Sequence, residues 1–496
     1  MSNSETSKKH VIGVDLKSDQ VVVSAVSETG EIAVETSCAY DFPKSQQQAK
    51  GKHEQDPDIW WNAVCFALGH LVSQLHTKGI THEQLCGISV TSLIGNLVTL
   101  NRSGHILIPA IMHDDQRAAD QAIRLSMIGN EFCKKIGRPF KTEDVIAKIV
   151  WAKDELPDIY ENAIFVHQSD YILGRLKGSV DVTDASASKL TGYDSIDNCW
   201  PDWLDYDMHL SVRERLPKVG SLGQIVGEVT ASAAKQTGLP AKLPVVLGGT
   251  SDIAGLLASG ARQSGDFFTQ FDETLTISGV SSALIHYPHG IVATNRLPNN
   301  LWFFSANTNT GTEWIDVWFS QQLANEYIKT IDTLLPSRYI AYPNVRKGEL
   351  FPFCSNSADG FISPATDNRP VQFASCLQGT AMTERLAYHY IDKVCDNQNA
   401  GQVFTIGKWC DSDVWMQCRA DVTERVIHRL SHSHNSSFGA AMIAAMGALY
   451  NQSIQETSEA MVKVDQSFYP NPEKMFTYKE YFALFQNTMQ EQGYLD

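Results

Sequence analysis

LPVVLGGTSDIAGLLASGA, residues 243–261, packs three pieces of structure into one short stretch. The apolar run Leu243–Leu247 suits a strand buried on both faces, as in a sheet covered by helices. Gly248 and Gly249 end it in a turn, and small and apolar residues at helical spacing follow from Ser251. Strand, glycine turn and helix in immediate succession form the repeating unit of α/β folds. One acid, Asp252, stands where the helix begins. An Asp at such a position is often only an N-cap; the other reading is a carboxylate aimed outward from the end of the strand.

Downstream, GDFFTQFDETLTISGVSS (265–282) reads as strand, turn, strand, with Asp272 and Glu273 in the turn. VFTIGKW (403–409) precedes a helical run, and SSFGAAMIAAMGALY (436–450) is a helix of small residues suited to close packing. Upstream, VIGVDL (11–16), VVVSAVSE (21–28) and ETGEIAVETSCAY (28–40) make a meander of three antiparallel strands. DPDIWWNAVCFALGHLVSQLH (56–76) is a helix with Asp56 as N-cap and Pro57 in its first turn. GISVTSLIGNLVTLN (87–101) is strand-like, and helical segments follow at 115–135, 142–155 and 171–178. The pattern of meander plus helices thus occurs twice. It predicts a duplicated α/β architecture with a cleft between its halves, as a chain of 496 residues, too long for one ordinary core, also requires.

Bulk properties narrow the function. The N-terminus, MSNSETSKKH, has no apolar signal core, and no run of about 18 uncharged apolar residues occurs. Ten cysteines without a CxxC pair read as reduced thiols, so the expected location is cytoplasmic. A net charge of −16 with no basic block argues against nucleic acid and anionic membranes as partners. His428, His432 and His434 have a spacing a metal could use, but they read better as a solvated loop. No GxGxxG, GxxxxGK[ST] or GxSxG fingerprint is present.

Further stretches carry a resemblance: EQDPDIWW (54–61), GHILIPAIMHDDQRAADQA (104–122), HQSDYILGRL (167–176), LTGYD (190–194) with WPDWLDY (200–206), GELFPF (348–353), LQGTAMTERLAYHYI (377–391) and AMVKVDQSFYPNPE (460–473). In this order, with PVVLGGTSDIAGLLASGA between them, they make the whole chain resemble a carbohydrate kinase of the FGGY family. HQSDYILGRL and WPDWLDY look closest to its ribulokinase- and xylulokinase-like branch. The resemblance implies two actin-like (ribonuclease-H-like) ATPase domains, here 1–243 and 244–460, with a C-terminal helical return at 461–496. It implies transfer of the γ-phosphoryl group of ATP, with Mg²⁺, to a hydroxyl of a pentulose or related polyol. Asp252 matches the family's base, and Asp15 matches the first-strand acid that helps place Mg²⁺ and phosphate. Thr91, Ser92 and Asn96 match the strand and turn that touch substrate in relatives. Asp114, Asp115 and Arg117, with Gln116, form a DDQR signature that reads equally as hydroxyl recognition or as a structural salt-bridge knot. The oligomeric state stays open, a homodimer included.

The chain departs from the family at all three nucleotide loops. The first, usually D-x-G-T-[ST]-S, is DLKSDQ, with Lys17 and Ser18 in place of Gly and Thr. The second, usually L-G-T-[ST] or L-G-S-T, is FDET, so Asp272 replaces Gly, Glu273 replaces a small hydroxyl residue, and Thr274 follows. The third keeps Gly407 and continues with Lys408 and Trp409. Glycines let backbone amides approach phosphate closely. At about 4 Å and an effective dielectric near 20, each carboxylate–phosphate pair costs roughly 4 kcal/mol. Lys17 could recover some attraction as a point charge. A rival expectation therefore stands beside the kinase: a pseudokinase that binds a sugar or a protein partner without turnover.

Overall fold

A computed structural model describes residues 8–41, 51–287, 291–395, 401–431 and 435–495. His432 and His434 lie outside the described residues, as does most of the polar N-terminus. Two compact units form. One comprises Met1–Ala258, Asn295–Asn299 and His434–Val462; the other comprises Ser259–Thr294, Asn300–Ser433 and Lys463–Asp496.

In the first unit the strand His10–Leu16 pairs antiparallel with Gln20–Ser27, which pairs antiparallel with Ile32–Ala39. On its other side His10–Leu16 runs parallel to Leu85–Ser92, which is followed in the sheet by Pro244–Val246 and Ile225–Glu228. The expected meander is there; His10–Leu16 and Gln20–Ser27 are buried along nearly their whole length, whereas in the edge strand Ile32–Ala39 only Val34 is buried. The helix Pro57–Thr77 packs against Gln20–Ser27 and Ile32–Ala39, and the helix Ser436–Ala448 against His10–Leu16 and Leu85–Ser92. The Pro57–Thr77 helix starts as predicted, with Asp56 accepting from the amide of Asp58. Ser436–Ala448 needs its small residues: a Cβ at Gly13 would lie 2.0 Å from the carbonyl of Ser437, and one at Gly439 1.8 Å from that of Ala254. The single strand-like stretch expected over 87–101 is two strands. Leu85–Ser92 and Leu97–Asn101 belong to different sheets, the second paired with Ile106–Ile111 and Ala163–His167.

The second unit repeats the plan. Phe267–Phe271 pairs antiparallel with Leu275–Ser281, which pairs antiparallel with Trp302–Asn307; Phe267–Phe271 also runs parallel to Val403–Gly407. Ile427–Leu430 and Val464–Phe468 continue the sheet. The helices Arg369–Cys395, Asp413–Thr423 and Pro472–Glu491 belong to this unit. His428 sits within a strand, its Nδ1 2.8 Å from Ser467 Oγ, rather than in a loop.

The units do not divide at 243/244. Pro244–Val246 is hydrogen-bonded into the first sheet beside Leu85–Ser92, and residues 434–462 return to that unit. The physical reason is the parallel pairing of Val245 with Ile88 and Val246 with Ser89.

Candidate active site

Asp15 and Thr91 are register partners at the ends of parallel neighbouring strands, and Ser92 bridges to Thr250 of the next. The carboxyl ends of parallel strands are where α/β folds place their ligands. Gly248 earns its place by close approach: a Cβ there would lie 1.9 Å from the carbonyl of Val90. The strand therefore delivers Ser251 directly to Asp15, with Asp252 next in the helix.

Asp15 is buried, and its Oδ1 accepts from Thr91 Oγ1 at 2.9 Å and from Ser251 Oγ at 2.6 Å. Its Oδ2, equally buried, has no hydrogen-bond partner. Burial raises the pKa of this carboxyl, and the two hydroxyl donors and Lys17 only partly offset the rise. An ionised carboxylate oxygen left without donors in such a place calls for a cation. Asp252 lies in the first turn of the helix Ser251–Ser259, inside it rather than at its N-cap. Its carboxylate is open to solvent yet ringed by protein atoms, and it has no hydrogen-bond partner among the described residues. That crowding raises its pKa, while Lys189 pulls the other way.

The other sugar-side candidates are engaged with the protein. Thr91 is committed to Asp15 and to the carbonyl of Val14, and Ser92 donates to Leu93 O at 3.2 Å. Asn96 is buried with both ends of its amide used, donating to Gln168 Oε1 at 2.8 Å and accepting from the amide of His113 at 2.9 Å. The DDQR signature has the geometry of a knot. Arg117 donates from Nε and Nη2 to the two oxygens of Asp115 at 2.8 and 2.7 Å, reaches Glu54 at 2.7 Å, and stacks over Trp151. Burial pushes the Asp115 carboxyl up, and bonds from Arg117 and the His53 amide more than reverse this. Asp114 stays exposed, as does Gln116, and is paired with His53 at 2.6 Å.

Sequence reasoning missed Ser251, Lys148 and Lys189. Lys148 is fully buried, and its Nζ donates to the carbonyls of Gly95 and Met112, both at 2.7 Å. Burial lowers its pKa to about 8 against the pull of Asp115 and Asp144. It ties together the two turns that carry Asn96 and the DDQR signature. The available signal was a lysine in the middle of the apolar run VIAKIVW. Lys148→Met strands two buried carbonyls at a cost of about 1–3 kcal/mol each, partly offset by no longer burying an ammonium. We expect a lower melting temperature and a raised KM for sugar with kcat changed less. Thermal melts and sugar titrations check it; an unchanged KM would remove Lys148 from the site.

In the second unit the FDET turn closes the hairpin of Phe267–Phe271 and Leu275–Ser281. The amide of Asp272 is spent on Thr274 O at 3.1 Å, and Asp272 O accepts from the amide and hydroxyl of Thr312. Asp272 Oδ2 accepts from Gln270 Nε2 at 2.7 Å. Glu273 faces two cations, Arg346 at 3.7 Å and Lys408 at 3.9 Å. Gly407 has φ +114°, and a Cβ there would lie 2.0 Å from Phe271 O. That contact, with Lys408 N donating to Phe271 O at 2.7 Å, seats the third loop against the second. The like-charge cost expected for Glu273 is therefore too high. Lys408 and Arg346 neutralise Glu273 locally, and the carboxylate is 61% exposed, where water screens it. In the first unit Lys17 and Ser18 form a tight hairpin turn, with the amide of Lys17 donating to Gln20 O at 2.9 Å.

Two family models match the chain: the N-terminal domain of the FGGY family of carbohydrate kinases over residues 10–258 and its C-terminal domain over 245–448. The chain belongs to the FGGY family of carbohydrate kinases. Similar proteins include a xylulose kinase of Bacillus subtilis, 24% identical over 97% of this chain and 96% of that one. An autoinducer-2 kinase of Escherichia coli is 24% identical over 89% and 87%. Among solved structures, xylulose kinase from Rhodospirillum rubrum superposes with a TM-score of 0.76 at 22% identity, covering 97% of this chain and 99% of that one. The expected fold class, α/β with two actin-like domains, is borne out with the family. All ten cysteines are unpaired, and among the described residues no helix is long and apolar enough to cross a membrane.

Proposed function

We propose that this FGGY kinase transfers the γ-phosphoryl group of Mg–ATP to a hydroxyl of a pentulose or related polyol. The observation that carries the reading is a pair of carboxylates in the first unit, close enough for Asp252 to raise the pKa of Asp15. Among the described residues Asp252 has no hydrogen-bond partner, and Asp15 has one oxygen satisfied and one orphaned. The relatives named xylulose kinase support a pentulose as acceptor.

The residues present fit the implied cofactor. Asp15 Oδ2 suits a hard, partly hydrated cation such as Mg²⁺, and Lys408 and Arg346 suit phosphate oxygens. When bound, the magnesium nucleotide supplies the phosphoryl group and neutralises its charge. Thr91 and Ser251 hold Asp15 Oδ1 and so leave Oδ2 as its one open acceptor. Asp252 accepts the proton of the sugar hydroxyl as general base. Its raised pKa brings it closer to the working pH, as base catalysis favours. Its place in the first turn of a helix, with Lys189 nearby, keeps the ionised form accessible.

A second reading, sugar binding without turnover, is favoured by one observation: the FDET turn presents carboxylates and spends the amide of Asp272 internally. A panel of pentuloses and polyols, measured for binding separately from turnover, decides between them. Saturable turnover with at least one sugar supports the kinase; sugar binding with no nucleotide-dependent thermal shift in Mg²⁺ supports the second reading.

A further inference from the structure

The departures at the second and third nucleotide loops are two halves of one arrangement. Glu273 replaces a small residue in the hairpin turn, Lys408 follows the glycine of the neighbouring loop, and the two side chains meet at 3.9 Å. Arg346 closes the group, 3.7 Å from Glu273 and 2.5 Å from Glu313. Lys408 also lines a cavity of about 520 Å³ with Trp409, Ser412, Gln321 and Asn325. Both cations are partly exposed, at 40% for Arg346 and 47% for Lys408. Exposed ion pairs of this length are weak. Glu273 is thus held loosely enough to leave.

We propose that Glu273 is a displaceable counter-ion, and that Lys408 and Arg346 are the groups that recognise the phosphates of the donor. This inference rests on the kinase reading for its choice of ligand. A phosphate chain replaces the Glu273 carboxylate on Lys408 and Arg346, so recognition passes from loop amides to two side-chain cations. Arg346 keeps its bond to Glu313 throughout and stays oriented. Donor affinity is then the difference between two anions competing for one pair of cations, which makes Glu273 a determinant of how tightly the donor is held.

Calorimetric titration of the full chain with Mg–ATP, and separately with magnesium tripolyphosphate, tests this without reference to turnover. Glu273→Gln, isosteric and exposed, is expected to tighten both probes about two- to fivefold, as befits loss of a surface charge. Lys408→Met is expected to weaken both by a similar factor. In the Glu273→Gln/Lys408→Met double variant the gain from Glu273→Gln should shrink to the part that acts through Arg346, because Lys408 is no longer there for Glu273 to occupy. An unchanged or weakened affinity in Glu273→Gln, an undiminished gain in the double variant, or no measurable binding by any of the proteins would overturn the inference. The expected pattern without turnover of any sugar would support the counter-ion and count against the kinase reading. Turnover with Glu273→Gln affinity unchanged would do the reverse.

Discussion

Asp252→Asn lowers kcat by about 10²–10⁴, the usual loss on removing a general base, while sugar affinity and the melting temperature stay close to wild type. The asymmetry follows from the surroundings of Asp252. The side chain is exposed to solvent and has no hydrogen-bond partner among the described residues to strand, so the amide perturbs little. Placement in the first turn of the Ser251–Ser259 helix contributes about 0.3–1 kcal/mol from the helix dipole, which sets the scale of any stability change. The loss in rate, about 3–5 kcal/mol in barrier, falls on the proton that an amide cannot accept. Steady-state kinetics with sugar binding measured in parallel check it; turnover near wild type would show that another group takes the proton.

Asp15→Asn should separate folding from function in a second way. Its carboxylate is buried with Oδ2 unpartnered, so ionised Asp15 is a burden on the protein when no cation is bound. The neutral isostere keeps the bonds from Thr91 and Ser251 and removes that charge. The variant is therefore expected to melt no lower than wild type without Mg²⁺. Turnover falls by about 10²–10³, since charge stabilisation by a metal is worth several kcal/mol. The stabilisation that Mg²⁺ with nucleotide gives the wild type is reduced in step. A matched set of thermal melts and rates at several Mg²⁺ concentrations checks it. An unchanged response to Mg²⁺ would place the cation elsewhere.

What was legible in the chain was local. Alternation in VVVSAVSE and in FDETLTISGV marked hairpins because neighbours in sequence are neighbours in the sheet. Asp56 and Pro57 marked a helix start because capping is settled within one turn. Asp252 stood out because strand, turn and helix around it are contiguous. What depended on distant partners was not legible. The stretch 87–101 looked like one strand because its apolar residues continue through the turn that separates two sheets. The helix Ser436–Ala448 belongs to the first unit because Gly13, hundreds of residues earlier, leaves room for its backbone. Glu273 of FDET looked unanswered because Arg346 and Lys408 lie far along the chain. For Asn96 nothing local reveals that Gln168 and the His113 amide occupy both ends of its amide, whereas the salt-bridge knot of Arg117 with Asp115 was one of the two readings open in the DDQR signature itself.

The most direct test of the account is product formation by the wild-type protein from Mg–ATP and a panel of pentuloses and polyols, run beside Asp252→Asn. The account predicts saturable formation of a sugar phosphate from at least one pentulose, lost by about 10²–10⁴ in the variant while that sugar still binds. Binding of the sugar and of Mg–ATP by the wild type with no sugar phosphate formed from any acceptor would contradict it.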